Sequence, residues 1–204
     1  MVALLGKIRK QMNGAVLDTF RYYGAKYGAN YGVAIHSLRD MAREIGVDNE
    51  LAHFLFRQQV RELQIIALWI ADAEAVTAED IEFWGAGIVN SELAEQAAQG
   101  LLCRVADIDA LLQRWCSSES ELLAYAALLA ASRSENLTLQ SVECSVNIVV
   151  NRFADNHLAA QGVARLLSAC IVKNRQMVSH ILHSLPDNRT ATSVREDIAW
   201  QLEY

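Results

Sequence analysis

Between Asn30 and Trp84, apolar residues recur at spacings of three and four. Ile35, Leu38, Met41, Ala42 and Ile45 fall on one helix face, and a second set follows at Leu51, Leu55, Val60, Leu63, Ile66, Ala67 and Ile70. Gly46-Val47-Asp48-Asn49 and the run from Asp72 to Thr77 punctuate these segments as turns. Nothing in this stretch alternates with period two, so the pattern predicts helix packed on helix and no sheet.

The rest of the chain extends that rhythm. Leu4, Leu5, Ile8, Met12, Val16 and Phe20 predict one long helix over residues 2–24. Tyr22, Tyr23 and Tyr27, mixed with Gly24, Gly28 and Gly32, make an irregular connection that packs a helix end or stacks on a base or sugar. Thr77 to Asp80 has capping-box spacing and starts a helix through Trp84, loosened by Gly85 and Gly87. Ser91 is expected to cap a helix through Leu102, and Asp107 or Asp109 to begin another. Ser118-Glu119-Ser120-Glu121 reads as a second capping box, opening an apolar helix over 122–131. Further helices are expected over 138–152, from Asp155 and Asn156 to about Lys173, over 174–185, and from Ser193 to Glu203 beyond the Pro186 turn.

Roughly eleven helices, paired every 30 to 40 residues or so, predict an all-α fold: a curved solenoid of HEAT-like antiparallel helix pairs. The whole of residues 1–204 is expected to form a single such domain with a concave groove as its binding surface.

Composition supports this reading. The chain is 52% hydrophobic and 21% charged, which excludes disorder, and has one proline, Pro186, in 204 residues. The longest apolar run, 122–131, is too short to span a bilayer, so no membrane association is expected. The charges of MVALLGKIRKQMNG follow its apolar residues, the wrong order for a secretory signal. Cys103, Cys116, Cys144 and Cys170 are scattered singly, as small core residues in a reducing cytoplasm would be.

The net charge of −6 is opposite in sign to that of a typical nucleic-acid binder, so any basic surface must be local. Arg57, Arg61, Arg165 and Lys173 are the candidate nucleic-acid contacts. His180 and His183 have a helical i, i+3 spacing, but no third ligand accompanies them, and neither metal nor cofactor is expected. Trp69, Trp84, Trp115 and Trp200 are read as filling inter-helix seams.

Tyr31-Gly32-Val33, Leu38-Arg39, Ala42-Arg43-Glu44-Ile45-Gly46, Glu50-Leu51-Ala52, Glu62 and the segment from Val76-Thr77 to Trp84 occur in an order that resembles the AlkD-like DNA alkylation repair family. The resemblance covers roughly residues 28–96. It implies HEAT-like repeats and a glycosylase that removes N3- or N7-alkylated purines from duplex DNA without a metal. In such enzymes a carboxylate beside the deoxyribose stabilises the positive charge that develops as the base departs. Aromatic side chains lie against the sugar–phosphate, and an arginine holds phosphate.

The family's Trp-Asp-x-x-Asp motif falls on Ser91-Glu92-Leu93-Ala94-Glu95. The tryptophan is absent, and Glu95 stands in the catalytic place with one methylene more. The family's Glu-x-Arg pair becomes Glu62-Leu63-Gln64, and the proline that usually opens the second helix is His36. Tyr125 falls at the phosphate-binding arginine and Arg165 at the second tryptophan.

Glu95 and Glu92 are therefore the catalytic candidates, against the alternative of a solvated carboxylate pair at a helix start. Glu62 and Tyr125 are candidate groove residues, with Glu62 read as an ion-pair partner of Arg39 or Arg57. Three functions compete, in this order. The first is a divergent member with lost or weak glycosylase activity that binds DNA or a protein in its groove. The second is an active alkylpurine glycosylase, and the third a protein-binding scaffold.

Overall fold

The computed structural model describes residues 2–22 and 27–203. The chain packs as two compact units, divided in sequence between Leu101 and Leu102. Among the described residues every regular element is helical, apart from one isolated parallel bridge between Ala29 and Val60. The first unit holds α1 (Val2–Lys10), α2 (Gly14–Tyr22), α3 (Ile35–Ile45), α4 (Asn49–Phe56), α5 (Arg61–Ile70), α6 (Ala78–Ala86) and α7 (Ser91–Gly100). The second holds a 3-10 turn (Leu102–Arg104), α8 (Ile108–Cys116), α9 (Glu121–Ala131), α10 (Leu139–Arg152), α11 (His157–Ser184) and α12 (Arg189–Glu203).

Each unit is built around one helix that is buried nearly all round. In the first it is α5, which packs against α3, α4 and α7. Only Trp69 of its ten residues is not buried. Its apolar residues drive that enclosure, each fully buried Leu or Ile contributing roughly 1.5–3 kcal/mol, while Arg61, Glu62 and Gln64 are its buried polar positions. In the second unit α9 has this role, buried from Ala124 to Ala131 and flanked by α8 and α11. Gly162 on α11 sets how closely that pair approaches. A Cβ there would lie 2.9 Å from the Leu128 Cδ1 and 3.2 Å from the Tyr125 Cδ2.

Local chemistry moves several helix boundaries. The single helix expected over 2–24 is two, because the Asn13 side chain accepts from Ala15 N–H at 3.1 Å and starts α2 afresh. Tyr23, Gly24 and the side chain of Phe20 lie outside the described residues. The Thr77–Asp80 capping box forms with both reciprocal bonds. The N-cap of α9 is Ser120 rather than Ser118, that of α7 is Asn90 rather than Ser91, and Asp107 caps α8. The last helix begins at Arg189, ahead of the expected Ser193, because Asn188 caps it through Ala191 N–H at 2.8 Å. Asn174 breaks α11 with non-helical φ −159° and ψ 86°, and its side chain restarts the helix through Met177 N–H at 3.0 Å. Of the four tryptophans, Trp84 and Trp115 are buried, but Trp200 is 62% exposed and fills no seam.

Candidate functional site

The site predicted around α7 is assembled from three pieces of the first unit: the N-terminus of α7, the first turn of α5, and the extended segment from Tyr27 to Ala34. Asn90 caps α7, its Oδ1 accepting from Leu93 N–H at 2.9 Å. That places Glu92 in the first helical turn, where the helix dipole favours a carboxylate.

Arg61 lies opposite. Its Nε donates to Glu92 Oε2 at 2.8 Å and its Nη2 to Glu92 Oε1 at 2.6 Å, a bidentate pair. Nη1 donates to the Val33 carbonyl at 2.8 Å and to Glu62 Oε1 at 3.1 Å. Glu62 Oε1 also accepts the backbone N–H groups of Tyr31, at 3.1 Å, and Val33, at 3.2 Å. The Tyr27 hydroxyl donates to Asn90 Oδ1 at 3.2 Å and to Glu92.

Arg61 is 2% exposed and Glu62 fully buried. Burial pulls the Arg61 pKa down, but the hydrogen bonds and charge of Glu92, with the charge of Glu62, outweigh it and leave a net rise. Burial and then the Glu92 carboxylate push the Tyr27 hydroxyl far above its usual range, so it stays protonated and donating. The arrangement is one guanidinium shared between two carboxylates and one backbone carbonyl. Arg61 has no fork left for a phosphate, and both oxygens of Glu92 are engaged.

Glu95 lies one turn further along α7 and is half-buried. The partner of Glu62 is Arg61, not Arg39 or Arg57. Arg39 instead donates to Gln99 Oε1 at 2.6 Å and to Gln96 Oε1 at 3.3 Å, with its guanidinium 4.6 Å from the Trp69 ring centre. Arg57 is exposed at the end of α4, its guanidinium 5.0 Å from the Phe83 ring centre. Phe83, Phe56, Trp84 and His53 form an aromatic cluster, with His53 stacked on Phe83 at 4.6 Å. In the second unit Tyr125 is buried in α9, while Arg165 and Lys173 are exposed on α11. His180 and His183 are exposed on the same helix, and the described residues contain no group of three or more metal-ligating side chains placed to hold an ion.

Sequence reasoning missed Tyr27 and Asn90 as members of the network. The signal for Asn90 was present, since an Asn directly before a helical run is a strong N-cap. Tyr27 gave none beyond its place in the Tyr–Gly connection.

A family model described as "DNA alkylation repair enzyme" matches residues 6–200. The chain belongs to the DNA alkylation repair family. No curated protein matches it by sequence. Its fold is similar to a solved structure from "a new family of proteins related to the HEAT-like repeat DNA glycosylases with affinity for branched DNA structures". The two align with a TM-score of 0.76 at 16% identity, over 98% of this chain and 94% of that one. The all-α, HEAT-like architecture expected of the DNA alkylation repair family is thus the architecture of this member. The family match also reaches about a hundred residues beyond the last recognisable motif, to residue 200.

Proposed function

We propose that this member of the DNA alkylation repair family binds DNA and has lost base-excision chemistry. The observation that carries the reading is the state of its motif. Ser91 stands where the family has its aromatic wall, and Glu92 has both oxygens on the buried Arg61. Glu95 is then the one motif carboxylate outside the Arg61 pair, on a side chain longer by a methylene than the family's aspartate. A displacement of about 1 Å from productive geometry costs on the order of a hundredfold in rate, and no tryptophan lines the sugar at Ser91. DNA binding is supported by family membership and by the affinity for branched DNA of the structurally similar protein.

Two measurements test this. Methylated duplex DNA incubated with excess protein is expected to release no 7-methylguanine; release that disappears in Glu95→Gln would establish the glycosylase reading instead. Branched DNA is expected to bind with an affinity that falls steeply with salt, each phosphate contact contributing roughly 0.9 to the log–log slope. Binding indifferent to salt, or none at low salt, sinks the DNA-binding half.

A further inference from the structure

A second feature of the first unit adjoins the ion-pair network and shares Tyr27 with it. A cavity of about 520 Å³ opens between the Tyr27–Gly28 segment, the end of α4 and the end of α6. Its volume falls within the roughly 300–1,000 Å³ of pockets that hold small molecules. Tyr27, Phe56 and Phe83 supply its aromatic walls, and Arg57, Gln59 and Gln64 its polar groups.

Gln64 distinguishes this cavity from a packing fault. It is 5% exposed, yet its side-chain amide has no hydrogen-bond partner among the described residues. The residue lines the cavity, leaving a donor and an acceptor side by side for a ligand. Arg57, at the rim, lies over Phe83 and forms no ion pair among the described residues.

The rim itself is held firmly. Gln59 adopts φ +53°, a left-handed conformation unusual outside glycine, and its carbonyl accepts Ala29 N–H at 3.1 Å. Arg61 N–H donates in turn to the Ala29 carbonyl at 2.9 Å. Two glycines let the walls approach closely. A Cβ on Gly87 would lie 2.1 Å from Phe56 Cε1, and one on Gly28 would lie 2.6 Å from the Gln59 carbonyl oxygen. Strained residues over-determined by their neighbours cluster at ligand sites.

We infer that this cavity receives one unstacked nucleobase of bound DNA. The inference rests on the DNA-binding reading above. Aromatic faces suit any base, and a glutamine amide matches the paired donor and acceptor on a base edge, adenine best. An exposed arginine beside the entrance suits the phosphate attached to that base. An aliphatic ligand would leave the Gln64 amide unpaired. A fully paired duplex offers no such base; a gap, bulge or branch point does.

The test uses the full chain and two oligonucleotides of equal length, one fully paired and one with a single unpaired 2-aminopurine. Binding to the second is expected to quench the 2-aminopurine by stacking. Gln64→Leu is expected to weaken binding to the unpaired substrate by roughly five- to hundredfold, the worth of one base contact, and to leave the paired duplex unaffected. Because the Gln64 amide has no hydrogen-bond partner among the described residues, its removal should leave the melting temperature unchanged, which separates lost recognition from lost folding. Arg57→Ala, at an exposed position, should also weaken the unpaired substrate. Binding without quenching, or equal affinity of wild type and Gln64→Leu for the unpaired substrate, overturns the pocket assignment alone. Failure of both oligonucleotides to bind at low salt overturns the DNA-binding reading, and the nucleobase with it.

Discussion

Arg57 and Arg61 look interchangeable in the sequence, two arginines four apart that one helix would bring to the same face. They fall on either side of a helix boundary, and their environments are opposite. Arg57 is exposed on an aromatic ring; Arg61 is buried with its fork committed to Glu92, Glu62 and a carbonyl. Removing one partner of a buried pair costs about 3–5 kcal/mol, because the remaining charges are left in low dielectric without compensation. Arg61→Ala is therefore expected to lower unfolding stability by about that amount in urea denaturation. Arg61→Lys should recover little of it, since an ammonium cannot make the bidentate contact. Thiol chemistry gives a second check at this scale. Burial pushes the Cys116 thiol up to about 12, while Cys144 is exposed. Ellman's reagent should modify Cys144 readily and reach Cys116 only after unfolding. Which of two similar residues is buried was not legible, because periodicity reports faces and not the partners on them.

Helix starts were most legible where the N-cap and a residue three positions on form a reciprocal pair. Thr77 and Asp80 form the expected reciprocal box, and Thr77→Ala should cost about 1 kcal/mol of stability by thermal melting. Burial pushes the Asp80 carboxyl up, but the Thr77 amide and hydroxyl and the nearby His53 outweigh it, leaving its pKa below the usual value. A carboxyl depressed on folding stabilises fully above its unfolded pKa of about 3.9 and loses that contribution as pH falls through the folded value. The penalty of Asp80→Asn should accordingly be present at neutral pH and shrink in strong acid. Boundaries failed where an asparagine made the cap outside any capping box, as with Asn13, Asn90 and Asn188. Glycines inside helices offer a matched pair of tests. Gly162→Ala meets Leu128 and Tyr125 and should destabilise by about 1–3 kcal/mol. Gly6→Ala, with nothing within 4 Å of its Cβ, should stabilise by about 0.5–1 kcal/mol.

At the scale of the whole molecule, the helical rhythm and the order of motifs in the first hundred residues were enough to identify fold and family. The chemistry was less accessible. Glu92 sits in a motif position that suggests catalysis, and only the approach of Arg61 and Tyr27, 31 and 65 residues distant in sequence, assigns it to structure. With a net charge of −6, any DNA surface depends on local arginines, so binding should weaken sharply above physiological salt. The ion-pair network also sets the order in which parts of the first unit can come loose. The amides of Tyr31 and Val33 are bound to a carboxylate on a buried helix rather than to a neighbouring strand or turn. Fraying of their own segment must break both bonds to Glu62 before they meet solvent. In hydrogen–deuterium exchange, these loop amides should be as slow as those of α5 itself, and Arg61→Ala should release them together.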